Sequence, residues 1–137
     1  EEVSIIDSRR TENPIDSVRP VAGVKAIQTL RTVVSNVHID PEVSKYIVLL
    51  VSATRRHEKV ALGASPRASL ALMRISQAYA FMHRRMYVLP EDVAAVYRST
   101  IAHLLMLKQE AKLERITADD ILTEILRRTD APYKGKR

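Results

Sequence analysis

The sequence contains no cysteine, which excludes disulfides and thiolate metal sites and fits a reducing compartment. Tryptophan is also absent, and aromatic residues make up only 4%. A core must therefore come from Ala, Leu, Ile, Val and Met, a composition suited to close-packed helices. The three glycines stand at 23, 63 and 135, so no glycine-rich phosphate loop of the Gly-Lys-Ser/Thr kind can be written. There is no His-Glu-x-x-His string and no zinc-ligand spacing. His38, His57, His83 and His103 are scattered, and no metal site is expected. No apolar run approaches the roughly 20 residues of a membrane span, no signal peptide opens the chain, and no membrane partner is expected. No Ser-His-Asp set is suggested either. Taken alone, the chain reads as catalytically incomplete and should be inactive. It begins at Glu1 rather than Met, as a piece of a longer protein would.

What is present is an apolar, basic chain of 137 residues, the size of one domain. Hydrophobic residues reach 46%, enough for a packed core and too many for a disordered chain. The net charge of +6 is unevenly placed. Residues 55–85 carry Arg55, Arg56, Lys59, Arg67, Arg74, Arg84 and Arg85 against one acid, Glu58. That segment alone accounts for the whole excess. An anionic partner is one reading. The other is that Arg55, Arg56, Arg84 and Arg85 close two helices at the end where cations suit the helix dipole.

Three stretches share a helix-start design: HIDPEVSKYI (38–47), YVLPEDVAAV (87–96) and RITADDILTE (115–124). Each places a short β-favouring pair, a cap position, Pro or Ala, and then acids before an apolar periodic run. Asp40 and Thr117 are good N-caps, and Thr117 with Asp120 has capping-box spacing. Leu89 is a poor cap. The pattern predicts an all-α chain with helices near 1–11, 23–36, 41–57, 66–85, 91–107 and 118–129. Residues 57–65 are expected to form a loop. A small two-stranded contact is expected between Val37–Ile39 and Tyr87–Val88. The 66–85 helix is apolar on most sides, which predicts a central, buried element. Arg67, Arg74 and Arg85 fall within about 20° of one another at helical spacing and form its one polar stripe.

Arg67 does not fit the dipole account. Ser65 is the expected N-cap of that helix, Pro66 its first residue and Arg67 its second. A cation there opposes the positive helix end, a mismatch of roughly 0.3–1 kcal/mol. Free N–H groups at a helix start favour an anion, and a guanidinium beside them adds a bidentate, permanently charged donor. A phosphate, or a carboxylate from another domain, would compensate the mismatch. Alternatively Arg67 bonds a nearby carboxylate or points into solvent.

The string LGASPRASLALMRISQAYAF (62–81), with YIVLLVSATR (46–55) before it and YVLPEDV (87–93) after it, closely resembles the C-terminal lid of MoxR-type AAA+ ATPases. The resemblance implies an AAA+ lid-type bundle of about five to six helices. Residues 1–22 would be the end of the ATPase core and its linker, 23–130 the lid, and 131–137 a basic tail. It implies that Arg67 is the sensor 2 arginine, reaching the γ-phosphate of ATP, with Ser65, Pro66 and Ala68 flanking the nucleotide. Tyr46 matches a family aromatic, placed near the adenine or in the core. Arg55 matches the arginine of an Ala-Thr-Arg string, with a structural or interface role. Mg-ATP would be held mainly by the missing core domain. The resemblance further implies cytoplasmic, chaperone-like remodelling, a hexameric ring with neighbouring subunits, and von Willebrand A domain partners. The chain departs from the family pattern at Arg84, Arg85 and Met86, where Gly-Arg-Asp is usual, at Leu89 in place of a threonine cap, and at Leu104 in place of the arginine of a His-Arg pair. Two other classes compete on the basic segment, a helical nucleic-acid-binding module and a protein-interaction bundle. Against the first, Tyr79 and Phe81 lie within an apolar run rather than among exposed cations.

Overall fold

A computed structural model describes residues 18–133, together with Val3 and Ile15. The helix expected at 1–11 lies outside the described residues apart from Val3. Six α-helices follow in order among the described residues: α1 (Val24–Ser35), α2 (Pro41–Arg56), α3 (Pro66–Met82), α4 (Pro90–Ile101), α5 (Gln109–Leu113) and α6 (Ala118–Arg128). Two short strands, β1 (Val60–Leu62) and β2 (Met106–Leu107), pair antiparallel. The all-α class holds, and no helix among the described residues is long and apolar enough to cross a membrane.

The chain divides into two compact units, Glu1–Arg31 and Thr32–Arg137. The division falls within α1. In the first unit the side chains of Val18, Val21, Val24, Ile27 and Leu30 are exposed. The second unit holds a continuous core. Leu50 and Val51 of α2, Leu72 and Ala80 of α3, Val93, Tyr97 and Ile101 of α4, and Ile121, Leu122 and Ile125 of α6 are all buried in it. The Tyr97 hydroxyl donates to the Leu50 carbonyl at 3.0 Å, and burial pushes its phenol well above the usual range. Gln77 donates to the Val37 carbonyl at 2.8 Å, tying α3 to the turn before α2.

Helix starts follow the sequence signals. Asp40 accepts the Glu42 N–H at 2.8 Å ahead of Pro41. Thr117 and Asp120 exchange bonds as a capping box, with Thr117 Oγ1 accepting the Asp120 N–H at 3.1 Å and Asp120 accepting the Thr117 N–H at 2.9 Å. The Leu89 problem is solved by Asp92. Its carboxylate accepts the Leu89 N–H at 2.8 Å, so half of a capping box survives without a polar cap side chain. The contact expected between 37–39 and 87–88 is present as a parallel bridge from His38 to Tyr87.

Three expectations fail, and one short helix is unanticipated. The 57–65 segment is more than a loop, because Val60 pairs with Leu107 and Leu62 with Met106. The same pairing stops α4 at Ile101; a 3-10 turn over Ala102–Leu104 leads directly into β2. Helix α5 carries too little apolar periodicity over five residues to have been anticipated. Finally, α3 is one-sided: Ala68, Leu72, Ser76, Gln77 and Ala80 are buried, while Leu70 (56%) and Ile75 (42%) stand in solvent with Arg67 and Arg74.

The end of α3 also removes Arg85 from the expected stripe. The helix closes at Met82, with the Arg84 N–H on the Phe81 carbonyl and the Arg85 N–H on the Ala80 carbonyl. Arg84 occupies the left-handed position that such a closure requires, at φ 59°. This is where the resembled pattern has glycine. A side chain there costs about 1–2 kcal/mol, partly offset by the greater unfolded-state freedom of glycine. Arg84→Gly should therefore stabilise the protein by about 0.5–1 kcal/mol, read as a higher denaturation midpoint; a lower midpoint would refute the strained-cap account.

Candidate functional site

The site is built where the end of α2 meets the start of α3. Thr54 is fully buried in the last turns of α2. Its hydroxyl donates to the Val51 carbonyl at 2.7 Å and accepts the Ala64 N–H at 3.0 Å. Arg55 donates from Nη1 to the Ala64 carbonyl at 2.7 Å. Both polar groups of one loop peptide residue are thus taken by consecutive side chains of α2. Gly63 makes this approach possible. A Cβ on it would lie 2.6 Å from the Arg55 Cα and N and 2.7 Å from the Thr54 carbonyl carbon. Those contacts are backbone, with no flexible side chain to give way.

From this anchor the chain turns into α3. Ser65 is the N-cap residue in extended conformation (φ −74°, ψ 166°), and its side chain makes no capping bond. Pro66 opens the helix and is exposed. Arg67 follows, exposed, with no hydrogen bond or ion pair among the described residues. Helix α3 contains no acidic residue, so its own turn cannot neutralise Arg67. Ala68 turns inward and is buried, its N–H on the Ser65 carbonyl at 2.9 Å. Arg74 lies two turns on, about 10 Å along the axis, on the same exposed face.

Ser65, Pro66 and Arg67 therefore form one exposed corner, with Ala68 beneath it. Tyr46 stands apart. It is buried in the core cluster, eight residues before Thr54 on α2, about 12 Å along that helix. Burial raises its phenol above the usual range.

The basic segment resolves into separate tasks. Arg55 holds Ala64. Lys59 pairs with Glu114 at 2.8 Å, joining the strand region to the end of α5. Arg85 grips Asp92 with two bonds, at 2.6 and 2.5 Å, and lies 5.9 Å from the Tyr87 ring centroid. Arg56 lines a surface cavity with Leu49, His57 and Glu124. In that cavity His57 Nδ1 accepts the Lys59 N–H at 3.2 Å, which leaves Nε2 facing Glu124 at 3.7 Å. What remains on one face with exposed apolar neighbours is Arg67 and Arg74.

Sequence reasoning found Arg67 and missed the roles of Thr54, Gly63 and Ala64. A signal existed, since Gly63 is the lone glycine between positions 23 and 135.

The segment that carries this corner lies within a stretch shared with known proteins. The family model described as "AAA lid domain" matches residues 52–125, from the end of α2 into α6. An uncharacterized Bacillus subtilis protein, YeaC, is 39% identical over 134 residues, covering 98% of this chain and 42% of its own length. The chaperone MoxR1 of Mycobacterium tuberculosis is 30% identical over 112 residues, 75% of this chain and 30% of that protein. A crystal structure of a candidate ATPase from Cytophaga hutchinsonii superposes with a TM-score of 0.82 at 30% identity, over 95% of this chain and 42% of the other. The chain therefore spans less than half the length of each of these relatives.

Proposed function

Since this chain belongs to the AAA lid domain family, and its relatives include a MoxR chaperone and a candidate ATPase, we propose that it is the helical lid of a MoxR-type ATPase and that Arg67 reads the bound nucleotide. The observation that carries this is Arg67 itself: an exposed guanidinium with no partner among the described residues, in the first turn of a helix without acids. The donor set fits an anion. The Ser65 hydroxyl takes no first-turn N–H; Pro66 has none to give and the Ala68 N–H is on the Ser65 carbonyl, so the donors at this corner are the backbone N–H and guanidinium of Arg67.

ATP would supply a multiply charged γ-phosphate at that corner. Arg67 would donate to it in the fork geometry that suits phosphate oxygens. Phosphoryl transfer asks protein groups mainly for positioning and charge stabilisation, and an arginine on a mobile lid supplies both only when the lid is closed. Leu70, one turn from Arg67, and Ile75, further along the helix beside Arg74, are exposed and give the lid an apolar face to set against a nucleotide-binding core. On this reading the chain's partners are its own core domain and neighbouring subunits of a ring, taken as a hexamer. Its work is cytoplasmic remodelling of client proteins, with von Willebrand A domain proteins as the client class. Nucleic-acid binding gains no support, because three of the seven cations of the basic segment are held by bonds within the chain.

Amide hydrogen exchange in the full-length protein tests the contact. Adding Mg²⁺ and a non-hydrolysable ATP analogue should slow exchange at residues 67–69, and Arg67→Ala should abolish that protection while analogue binding persists. No protection at saturating analogue would overturn the reading.

A further inference from the structure

Resting on the reading of Arg67 as the nucleotide contact, we propose that Thr54, Arg55 and Gly63 are positioning residues that fix where Arg67 stands. Among the described residues, no side-chain bond holds Arg67. Its location is set by the backbone of the first turn of α3, and that turn is set by Ala64 three residues earlier. Ala64 is buried, and its N–H and carbonyl are held by Thr54 Oγ1 at 3.0 Å and Arg55 Nη1 at 2.7 Å. Gly63 sits directly on the α2 backbone, so the loop cannot rise without breaking both bonds. The corner is thereby fastened to the end of α2 over a span of only ten residues. Arg55 thus does a second-hand job: a permanent cation spends its charge on a carbonyl instead of on a ligand.

A fastening of this kind matters because a guanidinium displaced by about 1 Å from a transferring phosphoryl group can forfeit a large part of its effect. Loss of the Arg55 bond should loosen the Ser65–Arg67 corner and lower turnover through Arg67, without removing Arg67 and without opening the core.

Steady-state ATP turnover of the full-length protein decides this with Arg55→Ala, Arg55→Lys, Arg67→Ala and the double variant Arg55→Ala with Arg67→Ala. Arg55→Ala should lower kcat by about 10-fold or more with a smaller change in KM. Arg55→Lys, which keeps a donor for the Ala64 carbonyl, should recover most of the loss. The double variant should be no slower than Arg67→Ala, because groups acting through one another are not additive. Should Arg55→Ala fail to fold, Thr54→Val releases the Ala64 N–H instead and should show the same dependence on Arg67. Normal kcat in Arg55→Ala, or losses that multiply in the double variant, would overturn the clamp while leaving Arg67 as the nucleotide contact. Normal turnover in Arg67→Ala alone would overturn both.

Discussion

In the full-length protein, Arg67→Ala should lower ATP turnover by about 10²-fold or more, the loss typical of one donor aimed at developing transition-state charge. The expectation rests on where the cation stands. Helix dipoles make a first-turn arginine unfavourable, and α3 provides no acid to offset it. Its exposure means that truncation to alanine removes no buried packing, so a loss of turnover cannot be attributed to unfolding. Arg74 serves as the internal control. It shares the exposed face but lies about 10 Å further along the helix, away from the first-turn N–H groups, and Arg74→Ala should leave kcat close to normal. Arg67→Lys should fall between, since an ammonium retains the charge and loses the planar fork. Turnover unchanged in Arg67→Ala, or an equal loss in Arg74→Ala, would remove the nucleotide role from this corner.

Which parts of this structure could be read from the sequence depends on the range of the forces that made them. Asp40, Pro41, Thr117 and Asp120 act within one turn, and their helix starts are legible because cap chemistry is local. Arg67 was legible for the same reason, as a charge judged against its own helix. The β1–β2 pair is not legible. Its two strands are three and two residues long and lie more than forty positions apart, and neither has an alternating pattern of its own. Pairing of Met106 and Leu107 then overrides a helical periodicity that runs on through Leu104 and Leu105. Arg85 misleads in the opposite direction. Its helical phase matches Arg67 and Arg74, but the helix has already closed and the chain passes through a left-handed Arg84. The Thr54–Gly63–Arg55 arrangement fails to declare itself because its content is backbone proximity. Only the isolated glycine hints at it, and a glycine does not say what approaches it.

Arg85 gives the largest expected effect on stability. The Asp92 carboxylate is almost wholly buried, with 4% of its side-chain surface exposed, whereas Arg85 retains 22%. Burial works to raise the Asp92 pKa, but the two Arg85 bonds and the Leu89 N–H outweigh it and hold the group below the usual carboxylate range. Arg85→Ala leaves a buried carboxylate without its cation and should cost about 3 kcal/mol at pH 7, seen as a melting temperature lower by about 10 °C or more. Asp92→Asn should cost less, because the arginine left behind can turn to water and the amide oxygen can still accept the Leu89 N–H. The pH dependence separates this account from a simple loss of packing. In the native protein the folded-state pKa of Asp92 is depressed, so its contribution is complete above the unfolded value near ~3.9 and is lost as pH falls through the folded one. In Arg85→Ala, burial is no longer outweighed by the guanidinium, and the folded-state pKa moves upward. The variant then loses stability as pH rises above the unfolded value and recovers some of it on acidification. The gap between native protein and variant should therefore narrow from pH 7 to pH 3, as measured by thermal melts across that range. A gap that stays constant would mean that Arg85 matters for its contacts with Tyr87 and not for its charge beside Asp92.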